Sequence, residues 1–198
     1  MTSMVEIDGQ LVQISNGDRE NAKAWFMYSK DDPSDASMSL KETPMEYGGL
    51  DASISMIRDC LCKFDADTEV ILLGFSQGAT MVQIITILAD AAQKIPEWND
   101  NLSPFAIIHS AILVSGFASM HRGSLTDSLQ TTDEKEPITI SSLHIMGAND
   151  TSVPKHLGDK LAACYLDPQI YIHEKGHFIP HNKAMIEAIT DFLDTTEE

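Results

Sequence analysis

Residues 69–78 read Glu-Val-Ile-Leu-Leu-Gly-Phe-Ser-Gln-Gly, and this stretch limits the fold more than any other in the chain. The apolar run ending at Gly74 is a short strand of the kind buried on both faces. Apolar periodicity then predicts a helix over 77–93, so the chain must pass from strand to helix within a residue or two of Ser76. A turn that sharp brings side chains two residues before and two after it into collision, which favours glycine at both Gly74 and Gly78. It also lifts Ser76 to the carboxyl end of the strand and the N-terminus of the helix. There the Gln77 N–H can face a developing negative charge. Five-residue patterns with two glycines arise often by chance; the strand before this one and the helix after it make it informative.

The alternation continues through the chain. A helix is expected over 49–64, with Leu50, Ile54, Ile57 and Leu61 spaced for one face. Further strands are expected over 107–114, 143–147 and 169–173. A helix with Pro154 in its first turn follows the third strand, and another over 182–193 closes the chain. Strands separated by helices indicate an α/β fold, a mostly parallel sheet with helices on both faces. The front is less regular. Val5 to Ser15 suits a small hairpin around Asp8-Gly9, and 30–41 reads as an exposed loop whose acidic stretch Asp31 to Asp35 is solvated. Residues 119–137 are polar, either a lid or a connector. One domain over 1–198 is expected, irregular over 1–45, with the body of the fold over 46–198.

Charge narrows the partners. Thirteen basic against thirty acidic residues give a net charge of −17. That argues against nucleic acid, whose binding rests on Lys and Arg neutralising phosphates, and against an anionic membrane face. No apolar run approaches the roughly 18 residues of a membrane span, so no membrane insertion is expected. The first residues lack the basic start and apolar core of a signal peptide. Cys60, Cys62 and Cys164 are an odd set without paired spacing, read as reduced buried thiols, and the expected location is cytoplasmic.

A serine hydroxyl is a poor nucleophile alone and needs a base and an orienting acid. Asp150, in Gly147-Ala148-Asn149-Asp150, lies just past the third strand; His177, in Gly176-His177-Phe178-Ile179-Pro180, lies just past the fourth. Alone, Asp150 is as readily a turn aspartate and His177 a loop histidine. In the order Ser76, Asp150, His177, each at the carboxyl end of a strand, they form a candidate catalytic set. A rival pattern overlaps it. His173-Glu174-Lys175-Gly176-His177 fits the H-E-x-x-H zinc motif, with His181 as a further imidazole. That motif works only on a helix, whereas 169–172 reads as a strand and Pro180 would break a helix. Neither a metal nor an organic cofactor is expected.

Several stretches together give the chain a family likeness: Ala24-Trp25-Phe26, Gly48-Gly49-Leu50, Gly74 to Ala79, Ala111 to Phe117, Ser142 to Pro154 and His173 to Pro180. The sequence resembles the FSH-type serine hydrolases of the α/β-hydrolase superfamily. Acyl-protein thioesterases share Gly-Phe-Ser-Gln-Gly, but residues 113–117 and 176–180 fit them less well. The resemblance implies hydrolysis of a small-molecule carboxylic ester, with Ser76 as nucleophile, His177 as base and Asp150 as the acid that orients it. Trp25 and Phe26 would then lie near the acyl pocket or in the core. One departure carries consequences. The family begins with a strand ending in a His-Gly loop that supplies a second oxyanion donor, and this sequence contains no His-Gly dipeptide. The fold is therefore expected to lack its first strands, leaving the Ser76 strand at an edge. Either the N-terminal hairpin covers that edge in part, or it supports self-association with a second copy. An intact triad favours an esterase; a missing oxyanion strand favours a weak or inactive hydrolase-fold protein with a binding or regulatory role.

Overall fold

The structure, a computed structural model, describes residues 3–7, 10–14, 24–28, 47–94, 101–119 and 136–196. The expected Asp8-Gly9 turn, the loop at 30–41 and the core of the lid-or-connector segment lie outside these residues. Strands β1 (Ser3–Ile7) and β2 (Gln10–Ile14) pair antiparallel as a hairpin, and β3 (Met27–Tyr28) pairs antiparallel with β4 (Tyr47–Gly48). Helix α1 (Leu50–Leu61) follows, then β5 (Val70–Phe75), α2 (Gln77–Lys94), a short 3-10 helix (Ser103–Ile107) and β6 (Ile108–Val114). The chain continues through β7 (Ser141–Gly147), α3 (Lys155–Ala162), β8 (Gln169–His173) and α4 (Lys183–Thr196). Strands β5, β6, β7 and β8 form one parallel sheet in that order, so every site-bearing loop leaves the same sheet edge.

The core follows from side-chain alternation across that sheet. One face presents Ala111 and Leu113 to α1 and α2, where Leu50, Ile54, Met81, Ile84, Ile85 and Leu88 are buried. The other presents Ile112, Val114, Leu143 and Ile145 to Met185 and Phe192 of α4. Helices on both faces are what the sequence implies. Burying each of these aliphatic side chains contributes roughly 1.5–3 kcal/mol, and the central strands β6 and β7 collect most of it.

Four expectations change. Strand β5 is not buried on both faces: Ile71 and Leu73 are 46% and 55% exposed, because α4 packs over β7 and β8 and does not extend across β5. The hairpin does not supply a strand beside β5. It forms a sheet of its own, and among the described residues β5 is hydrogen-bonded only to β6. Pro154 stands at the N-cap of α3, one residue before the helix, where its extended ψ of 143° belongs. Finally, Cys60 and Cys62 are exposed at the end of α1 and Cys164 is half-buried, so the thiols are not core residues. No helix among the described residues is long and apolar enough to cross a membrane.

The core also holds a polar group with a measurable cost. His144 of β7 is 1% exposed, among the described residues bonds only Ser142 Oγ, through Nε2 at 3.1 Å, and meets the ring edge of Tyr165. Burial lowers its pKa from 6.5 to about 4. Above pH 6.5 the ring is neutral folded or unfolded and costs nothing through titration; between 6.5 and 4 only the unfolded chain takes up the proton, so stability falls. Urea unfolding between pH 7 and pH 4 should therefore show an acid loss about 2–3 kcal/mol smaller in His144→Leu than in the parent. Equal acid losses in both proteins would show that His144 does not titrate across folding.

Candidate active site

Ser76 is held in the left-handed region, at φ 56°, between the end of β5 and the start of α2. This conformation is costly for a residue with a Cβ and persists only where the surroundings fix it. They do so through the main chain: the Ser76 N–H donates to Val114 O at 2.9 Å, and Ser76 O accepts from Ala79 N–H at 3.0 Å. The turn is closed so tightly that a Cβ at Gly74 would lie 2.4 Å from Gly78 O and 2.7 Å from Ala79 N. Glycine is thus obligatory at Gly74. The expected reciprocal demand at Gly78 is not found: a Cβ there would meet only Trp25 Nε1, at an ordinary 3.5 Å. The collision is one-sided because the Gly74 side-chain direction points into the first helical turn, while that of Gly78 points out of it. Among the described residues no acceptor takes the Gln77 N–H, which stands at the N-terminus of α2 beside Ser76. The Gln77 side chain is engaged elsewhere, on the main chain of Trp25 and Phe26.

The structure brings Asp150 and His177 to the same point. His177 Nε2 lies 3.0 Å from Ser76 Oγ, and His177 Nδ1 lies 2.7 Å from Asp150 Oδ2. A carboxylate can only accept, so Nδ1 carries the proton and Nε2 is left to accept from the Ser76 hydroxyl. The second carboxylate oxygen, Oδ1, accepts from the Ser152 and Val153 N–H groups at 2.9 and 2.8 Å. Asp150 therefore does turn the chain, as its bland reading would have it, and uses its other oxygen for the imidazole. Its side chain is 1% exposed against 14% for His177, so the carboxylate is shut off from water while the imidazole reaches it. Phe75 lies under the imidazole with ring centroids 4.8 Å apart.

The two loops are sewn to each other. Ala148 N–H donates to His173 O at 2.7 Å, Asn149 N–H to Lys175 O at 3.1 Å, and Asn149 Nδ2 to Glu174 O at 2.7 Å. Such close approach requires Gly147, where a Cβ would lie 2.6 Å from Lys175 O and 2.7 Å from Gly176 O. Gly147 and Asn149 thus carry steric and hydrogen-bonding tasks that the sequence pattern around Asp150 does not assign them; a glycine at a strand end followed by Asn in the turn before Asp150 is the signal available. Ser115, at the end of β6, has a φ of 47° and an N–H bond to Ile145 O at 2.8 Å, which mark a second tight turn, between those of Ser76 and Asp150.

His173 and His177 do not share a helical face. His173 ends β8, buried, with Nδ1 accepting from Lys175 N–H at 3.2 Å and the ring packed edge-on against Phe178. Burial lowers its pKa more than the Asp150 carboxylate raises it, so His173 is a neutral support under the loop. The H-E-x-x-H pattern is a strand end and a loop.

A serine on a strand-turn-helix elbow, an imidazole on its hydroxyl and a carboxylate on that imidazole, all at one edge of a parallel sheet, define the α/β-hydrolase fold class. The solved maize (Zea mays) acyl-protein thioesterase 2 shares that fold with a TM-score of 0.58 at 18% identity, covering 87% of this chain and 72% of that one. The family profile described as "Serine hydrolase (FSH1)" matches residues 2–189, and the chain belongs to that family. It is 30% identical over 181 residues to the zebrafish (Danio rerio) esterase OVCA2, covering 91% of this chain and 70% of the relative. Against the human (Homo sapiens) esterase OVCA2 it is 29% identical over 182 residues, covering 90% and 70%.

The elbow geometry separates its two glycines. Gly74→Ala should cost at least about 3 kcal/mol in urea unfolding, because its Cβ meets main chain that cannot yield. Gly78→Ala should change stability by less than about 1 kcal/mol, since it gains helix propensity without a clash. Similar costs for the two would contradict the one-sided closure.

Proposed function

We propose that this chain is a serine carboxylesterase acting through Ser76, His177 and Asp150. The observation that carries the reading is the continuous hydrogen-bonded path from Asp150 Oδ2 through the imidazole to Ser76 Oγ. Membership of a serine hydrolase family supports it, and the curated relatives carry the name esterase. As Ser76 Oγ attacks the ester carbonyl carbon, its proton passes to His177 Nε2. Asp150 holds the imidazole in the required tautomer and stabilises the imidazolium that forms. The carbonyl oxygen becomes an oxyanion beside the Gln77 N–H at the positive end of α2. The tetrahedral centre then collapses: the carbon–oxygen bond to the leaving alcohol breaks, and His177 returns the proton to it. Water repeats the sequence on the acyl-enzyme and releases the carboxylic acid. No step calls for a metal, so turnover is expected to be insensitive to EDTA.

A second reading, a slow hydrolase or a hydrolase-fold binding protein, has one observation in its favour. Among the described residues the Gln77 N–H is the one oxyanion donor assigned, and β5 presents an open edge with Ile71 and Leu73 exposed beside it. Losing one of two oxyanion donors lowers turnover about 10²- to 10³-fold. The same edge would support self-association. Labelling by a fluorophosphonate probe distinguishes the readings. The esterase reading predicts labelling of the parent and none of Ser76→Ala, with p-nitrophenyl ester hydrolysis reduced about 10⁴-fold in Asp150→Asn. Probe-inert parent protein, or hydrolysis undiminished in Ser76→Ala, would overturn it.

A further inference from the structure

The Gln77 carboxamide occupies a position no step above uses. Its Oε1 accepts from the Trp25 N–H at 3.0 Å, and its Nε2 donates to Phe26 O at 3.1 Å. A third bond, Ser53 Oγ to Trp25 O at 2.5 Å, ties the same segment to α1. Beyond it, Phe26 is buried and stacked on Tyr47, with ring centroids 4.1 Å apart and planes 2° from parallel. These contacts hold Trp25 in place, since β3 and β4 pair over only two residues each and cannot order the segment by themselves. Trp25 is half-buried, and its Nε1 lies 3.5 Å from where a Cβ of Gly78 would stand. The indole therefore lies against the first turn of α2, two residues past the nucleophile.

We propose that the Gln77 side chain is a positioning residue that fixes Trp25 as the wall against which the acyl chain of the substrate lies. The inference rests on the esterase reading and extends it to the apolar acyl end of the ester. The side is set by the geometry of the reaction. His177 approaches Ser76 Oγ and must protonate the leaving alcohol, so the alcohol faces His177. The acyl group stays bonded to Ser76 under the Gln77 N–H, on the α2 side where Trp25 is held. One residue thus links two tasks: its N–H faces the oxyanion, and its carboxamide sets the wall beside it. The carboxamide bridges the Trp25 N–H and the Phe26 C=O, which lie on either side of the Trp25–Phe26 peptide, and an aliphatic residue of the same length would remove both bonds.

The test uses Gln77→Ala and Gln77→Met, Trp25→Ala, and the Gln77→Ala/Trp25→Ala double variant, each checked for cooperative unfolding. Specificity constants are measured for p-nitrophenyl acetate and p-nitrophenyl octanoate, and the octanoate-to-acetate ratio is the readout. A residue serving stability alone would not move that ratio. The proposal predicts a fall of about tenfold in both Gln77 variants, and no further fall when Trp25→Ala is added to Gln77→Ala. In a Trp98→Phe background Trp25 is the sole indole, and Gln77→Met should shift its emission to the red and raise its quenching by acrylamide. A ratio unchanged in both Gln77 variants, or losses that add in the double variant, would overturn the proposal. If the parent hydrolyses neither ester, the esterase reading fails separately, and the emission decides whether Gln77 holds Trp25. An unshifted spectrum then overturns the latch, and a red shift supports it.

Discussion

The contact between Gly74 and the first turn of α2 is the constraint on which the rest of the site depends. Because β5 meets the helix so closely that a Cβ on Gly74 would stand 2.4 Å from Gly78 O, Ser76 is forced to a positive φ and has nowhere to go but outward. The strain is of order 1–3 kcal/mol, and the N–H bond from Ser76 to Val114 O and the buried length of α2 hold it in place. The sheet supplies the leverage. A serine at the tip of one parallel strand is met by the loops that follow the second and third strands beyond it, which leave the same end of the sheet and reach back past β6.

The same economy governs the partners of Ser76. Asp150 is buried where its two oxygens are bonded in different directions, one to main-chain N–H groups of its own turn and one to the imidazole. Fixing the carboxylate fixes the imidazole, and the three bonds between residues 148–149 and 173–175 keep the two loops from drifting apart. Preorganisation of this sort would serve a hydroxyl nucleophile, because no reorganisation remains when charge develops. Gly147 permits the approach as Gly74 permits the elbow, and both glycines serve sterically at strand ends.

The alternation of apolar runs with amphipathic helices was readable because central strands β6 and β7 are nearly all apolar and helices keep a 3.6-residue period. The meeting of Ser76, Asp150 and His177 was legible because the loops after parallel strands share one end of the sheet, so position after a strand is itself a signal. What escaped depends on contacts between distant segments. Nothing near Gln77 tells that its side chain binds Trp25 and Phe26, more than fifty residues earlier. Asn149 reads as a turn residue whether or not Glu174 O is within its reach. Strand β5 was misread for a related reason: Ile71 and Leu73 are as apolar as a central strand requires, yet they stand at an edge that α4 does not cover. Composition records what a residue tolerates, and the packing of the neighbours decides what it receives.

The central claim is that the Asp150–His177–Ser76 path makes one hydroxyl in this chain the nucleophile. It is tested most directly by mixing the protein with a p-nitrophenyl ester, quenching in acid during turnover, and locating the added acyl mass by peptide mass spectrometry. The account predicts a single acyl group, on the peptide that contains Ser76, disappearing as the acyl-enzyme is hydrolysed. Acyl mass confined to the exposed thiols of Cys60 and Cys62, with Ser76 unmodified while ester is consumed, would contradict it.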